Sequence, residues 1–264
     1  MNRIEAKFKA LKGAGRPALI TYICAGDPDI KTTRRLLPAL AEAGADIIEI
    51  GMPFSDPMAD GPTIQMASQR ALKNNVNCDM IFDMVMSVRS RQDTPLLLMG
   101  YYNPVYRYGI ARFVANAKAA GIDGIIIPDL IPEESDELVL AARRHDFSTV
   151  FLASPTSGRE RLKLISSKST GFIYYVSLAG VTGARKSLPK DMRRHVMDIK
   201  NVSSKPVCVG FGVSTPRQAK RICAFSDGVI VGSAIIKIIE NSLKHDSDII
   251  PGVVSFVKKL RKAL

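Results

Sequence analysis

Glu49 stands inside the apolar run Ile47-Ile48-Glu49-Ile50, and a loop rich in Pro, Gly and Asp follows it over residues 51–62, carrying Asp56 and Asp60. A carboxylate set among isoleucines is costly to bury unless it is paired, neutralised or used. Paired, it is a silent structural group; used, it is a general acid or base, with Asp60 as the second carboxylate of an acid–base site. Other chemistries fit less well. The three histidines, His145, His195 and His245, lie far apart in polar segments, and the four cysteines have no CxxC spacing, so metal catalysis is not expected. No lysine is set into a strand-like run, which disfavours a Schiff-base mechanism.

A second group of residues suits an anion. Gly210-Phe211-Gly212-Val213 and Val231-Gly232-Ser233-Ala234 each place glycine where an apolar run gives way to helix-forming sequence. Backbone N–H groups beside a helix N-terminus bind phosphate without a charged side chain. A long glycine-containing loop, Gly180-Val181-Thr182-Gly183, is suited to folding over it. Single glycine pairs usually just make turns, but three on consecutive units favour phosphate binding. Tyr22, Tyr101, Tyr174 and Phe211 are candidates for aromatic walls, although strand aromatics are more often core. Together these residues suggest a substrate apolar at one end and phosphorylated at the other.

To act together, these residues must be gathered by the fold. Eight short β-rich runs occur, at 18–26, 46–53, 95–103, 124–130, 148–154, 171–177, 206–212 and 228–234, each followed by helix-forming sequence. The intervening helices are expected near 30–43, 62–74, 78–91, 109–120, 132–144, 158–167, 189–200 and 214–223, with an extra amphipathic helix over 2–12. Continuous apolar runs point to strands buried on both faces of a parallel sheet. Eight such units in about 250 residues predict an α/β fold, a single (β/α)8 TIM barrel domain spanning 1–264. A doubly wound open sheet competes, but no GxGxxG turn follows the first strand. In a barrel, the candidate residues all fall at the C-terminal strand ends or in the loops after them, where active sites of this fold are built.

Composition excludes other classes. The 264 residues are 46% hydrophobic and 23% charged, ordinary for a globular chain. No apolar run is long enough for a transmembrane helix, and the charged N-terminus has no secretory core, so a cytoplasmic location is expected. The net charge of +12 raises nucleic-acid binding, but the cations are dispersed and no Trp or RNA-binding aromatic signature is present. The surplus reads as a solvated surface favourable to an anionic substrate.

Six motifs together carry a resemblance over essentially the whole chain: residues 49–62, 99–104, 128–130, 179–183, 210–213 and 231–234. The sequence resembles the α chains of tryptophan synthase. The first motif is long and specific; the glycine endings alone suit many phosphate-binding barrels. The resemblance implies retro-aldol cleavage of indole-3-glycerol phosphate to indole and glyceraldehyde 3-phosphate, with no cofactor in this chain. It implies Glu49 as general acid and base, and Asp60 as the carboxylate facing the indole N–H. Gly183, Gly212, Gly232 and Ser233 fall on phosphate-binding positions, Tyr22, Tyr101, Tyr174 and Phe211 around the indole, and Thr182 on the loop that orders Asp60. Tyr22 stands where many members carry Phe, and its hydroxyl needs a partner or water. The implied partner is a tryptophan synthase β chain carrying pyridoxal phosphate, in an α2β2 heterotetramer, docked on the loop 53–60 and the corner 102–104. Competing readings are another phosphate-binding barrel enzyme, such as a sugar-phosphate isomerase or epimerase, and a catalytically weak subunit that activates a partner.

Overall fold

The computed structural model describes residues 2–176, 191–210 and 212–264. Its first half runs α1 (Arg3–Gly13), β1 (Ala18–Cys24), α2 (Ile30–Glu42), β2 (Ile47–Gly51), α3 (Pro62–Leu72), α4 (Cys78–Arg89), β3 (Leu96–Met99), α5 (Tyr102–Tyr108), α6 (Ile110–Ala119) and β4 (Gly124–Ile126). After a 3-10 turn (Pro132–Glu134) come α7 (Asp136–Arg144), β5 (Ser148–Val150), β6 (Leu152–Ala153), α8 (Arg159–Lys168) and β7 (Ile173–Val176). The chain ends with α9 (Met192–Val202), β8 (Val207–Gly210), α10 (Pro216–Cys223), β9 (Gly228–Val231), α11 (Ser233–Lys244) and α12 (Ile249–Ala263).

All pairings are parallel, in the order β5-β4-β3-β2-β1-β9-β8-β7-β6. β5 and β6 are halves of one run interrupted at Phe151, whose carbonyl accepts the Tyr174 N–H at 3.1 Å, so the order returns on itself as a TIM barrel. Ile20, Ile47, Leu97, Ile126, Val150, Cys208 and Ile230 pack inside it. The extra N-terminal helix joins this inner cluster through Ile4, Phe8 and Leu11 and so plugs the N-terminal mouth. Among the described residues no helix is long and apolar enough to cross a membrane.

Two expectations change. The third run ends at Met99, and Tyr102 and Asn103 open α5 instead; Pro104 sits in its first turn, where a missing N–H costs nothing. The helix expected over 109–120 is therefore preceded by another, the two joined at Gly109 with φ 91°. The helix expected from 189 begins at Met192, and residues 177–190 lie outside the described residues.

Three aspartates fasten the N-terminal end of the barrel. Asp46, Asp123 and Asp227 each immediately precede a strand and accept a backbone N–H from the neighbouring one, Leu19, Leu96 and Val207, at 2.9, 2.9 and 2.8 Å. Cations complete each site: Arg16 and Arg261 on Asp46, Arg3 and Arg89 on Asp123, Lys200 on Asp227. Arg3 and Arg261 thereby tie the first and last helices to the sheet. With the opposite end freed of this duty, the C-terminal strand ends can carry chemistry.

Candidate active site

Glu49 is the third residue of β2, in register with Tyr22 of β1 and two residues beyond the inward-facing Ile47. The strand's alternation therefore aims its carboxyl into the barrel. It is 0% exposed, and among the described residues neither carboxyl oxygen has a hydrogen-bond partner. Burial, and secondarily the charge of Asp60, pushes its pKa up to about 8.

Asp60 reaches the same cavity from the β2–α3 loop, which is pinned at several points. Ser68 Oγ accepts the Phe54 N–H at 2.8 Å and donates to the Phe54 carbonyl at 3.0 Å. Gln65 Nε2 donates to the Asp60 carbonyl at 2.8 Å. The next helix turns are held by a bidentate pair, Arg70 to Asp27 at the end of β1, at 2.7 and 2.9 Å. Tyr101 is the main brace: its hydroxyl accepts the Ala59 N–H at 2.9 Å and donates to Asp60 Oδ2 at 3.0 Å, while its ring stacks on Phe54. Burial raises the Asp60 pKa to about 6, and the Tyr101 hydrogen bond opposes that rise. The two carboxyls are thus driven apart, so that near pH 7 Glu49 is chiefly the neutral acid and Asp60 the anion.

The structure gathers seven of the eleven expected site residues around one cavity: Tyr22, Glu49, Asp60, Tyr174, Gly212, Gly232 and Ser233. Tyr101 stands behind Asp60 as its brace. Thr182, Gly183 and Phe211 lie outside the described residues. Gly212 has φ 49°, a left-handed conformation suited to glycine. Gly232 is the N-cap of α11 and Ser233 its first residue, so the open N–H groups and positive end of that helix face this corner of the fold.

Two glycines have a function that turns do not explain. A Cβ on Gly51 would lie 2.1 Å from the Tyr22 hydroxyl, and one on Gly210 would lie 2.3 Å from the Tyr174 ring. These positions are empty so that the tyrosines can occupy the barrel mouth. The remaining walls, Ile64, Met99, Val213 and Ile230, escaped the sequence reading because they look like any core residue. Only strand parity marks Met99 and Ile230, each two residues from an expected inward position.

Residues 8–264 match the family model described as tryptophan synthase alpha chain. The chain belongs to that family. It is 48% identical to the tryptophan synthase alpha chain of Geobacter sulfurreducens over 264 residues, which is 100% of this chain and 99% of the relative. The crystal structure of tryptophan synthase subunit alpha from Legionella pneumophila superposes with a TM-score of 0.94 at 39% identity, covering 100% of this chain and 98% of that one. A chain of Mycobacterium tuberculosis tryptophan synthase gives 0.91 at 37% identity, covering 99% and 98%. The family's reaction is the cleavage of indole-3-glycerol phosphate to indole and glyceraldehyde 3-phosphate, and the chain is accordingly a lyase subunit of tryptophan synthase, with a β chain as its counterpart.

Proposed function

We propose that Glu49 and Asp60 carry the retro-aldol cleavage of indole-3-glycerol phosphate in this chain. The observation that supports this most is the wholly buried Glu49 carboxyl, without a partner among the described residues and sharing a cavity with Asp60. Protonated Glu49 gives its proton to indole C3, which leaves positive charge on the ring. Asp60 offsets that charge by accepting a hydrogen bond from the indole N–H. Glu49, now a carboxylate, takes the proton of the neighbouring carbinol hydroxyl. The carbon–carbon bond breaks as the carbinol oxygen becomes the aldehyde, and its electron pair restores neutral indole. One proton is added and one removed, so Glu49 ends as it began. A pKa near 8 suits a group that must work in both directions. Gly212, Gly232, Ser233 and, in the segment 177–190, Gly183 hold the phosphate; Tyr22, Tyr174 and Phe211 flank the indole; Thr182 acts on Asp60.

The β chain docks over the C-terminal strand ends in an α2β2 assembly within the cytoplasm, carrying pyridoxal phosphate itself. Exposed apolar side chains after three consecutive strands support this face: Met58 in the loop after β2, Tyr106 in α5 after β3 and Ile131 in the loop after β4. The test is indole release from indole-3-glycerol phosphate by the wild type and by Glu49→Gln, with and without an added β chain. Release that the β chain stimulates and the variant lacks is expected; equal release by the variant would remove Glu49 from the mechanism.

A further inference from the structure

We propose that the Tyr22 hydroxyl is a catalytic hydrogen-bond donor to the carbinol oxygen of the substrate; this role rests on the reaction proposed above. Tyr22 pairs in register with Glu49, so both side chains enter the barrel from adjacent strands. Its ring passes beneath Gly232, whose Cβ would sit 3.2 Å from the Tyr22 Cβ, and its hydroxyl ends against Gly51. Gly51 lies two residues beyond Glu49 on the same face of β2, so the hydroxyl occupies the layer immediately above the Glu49 carboxyl, toward the open end of the barrel.

Among the described residues both Glu49 oxygens are buried and unpartnered, and Tyr22 lines the same cavity. A substrate oxygen entering between the two layers meets the hydroxyl on one side and the carboxyl on the other. The substrate oxygen that must meet Glu49 is the carbinol oxygen. Tyr22 donates to it while Glu49 removes its proton, and the donated bond strengthens as negative charge gathers there before the C–C bond breaks. Tyr22 keeps its own proton throughout.

Tyr22→Phe removes the donor and leaves the ring seated between the same glycines. Loss of a hydrogen bond to a group gaining charge predicts that kcat falls about 10- to 100-fold. Affinity for indole-3-propanol phosphate, which has no carbinol hydroxyl, should stay within about twofold, because Phe preserves the pocket's shape. Both are measured on the full chain with an added β chain. Wild-type kcat in Tyr22→Phe would overturn the role. Equal loss of kcat and of indole-3-propanol phosphate affinity would overturn it too, by showing that the hydroxyl maintains the pocket instead. Absence of turnover in the wild type would overturn the proposed reaction itself, an outcome distinct from either.

Discussion

Glu49→Gln replaces the buried carboxyl by a neutral group of nearly the same shape, and its effect on stability should depend on pH. A free Glu ionises near 4.5, whereas in the folded chain Glu49 ionises near 8. Between these values the folded state holds a proton that the unfolded state has released. The stability linked to this group is therefore complete below pH 4.5, declines as pH rises, and is lost once pH passes about 8. At ~1.36 kcal/mol per pH unit, the full decline is roughly 5 kcal/mol, of which about 3 kcal/mol has gone by pH 7. Gln has no such dependence. Unfolding midpoints of both proteins, measured by heat or urea at pH 5, 7 and 9, isolate the effect because every other titrating group is shared. Relative to its position at pH 5, the variant should gain about 4 kcal/mol on the wild type by pH 9, on the order of 10 °C for a chain of this size. A constant gap across the three pH values would refute the reasoning. It would mean that Glu49 ionises in the folded chain as it does in the unfolded one, so that water or a cation compensates it.

Tyr101→Phe removes the donor to Asp60 Oδ2 and the acceptor of the Ala59 N–H. Since that hydrogen bond holds the Asp60 pKa down, its loss should raise the value above 6. Asp60 acts as the anion, so the acid limb of the kcat–pH profile should move to higher pH, with lower kcat at neutrality; an unmoved limb would count against the brace. Gly210→Ala puts a Cβ 2.3 Å from the Tyr174 ring and forces it into the cavity. Affinity for indole-3-propanol phosphate should fall roughly tenfold, and Tyr174→Leu in the same chain should recover part of it by titration calorimetry. Asp123→Ala strips Arg3, Arg89 and the Leu96 N–H of their shared acceptor. It should cost about 3–5 kcal/mol in denaturation while leaving ligand affinity of the folded protein unchanged.

The barrel was legible because its strands are buried on both faces: β1 and β9 read as largely apolar runs, and β2 as one broken only by Glu49. The end of β3 was harder. Tyr101 and Tyr102 extend a run of strand-forming types, and only Pro104 and Gly109 mark the helix that starts there. Glu49 announced itself as a charge among isoleucines, and the glycine corners as strand-to-helix junctions. What Tyr101 does could not be read, since a brace is defined by the loop it holds 41 residues away in sequence. Nor did Asp46, Asp123 and Asp227 stand out. Each precedes its strand as an ordinary loop residue would, and the N–H it binds lies 27, 27 and 20 residues away.

Asp123 and Glu49 make the sharper comparison. Both are 0% exposed carboxyls at strands of the same sheet. Asp123 takes hydrogen bonds from two arginines and a backbone N–H, so its charge is compensated in place. Glu49 receives none from the described residues, and its protonation absorbs the cost of burial instead. The fold has the means to compensate a buried carboxylate, and uses them at Asp46 and Asp123 on the N-terminal side. Leaving Glu49 bare on the other side keeps its proton exchangeable near neutral pH, which a structural network would prevent. The missing partners, more than the burial, distinguish the reactive carboxyl from the structural ones.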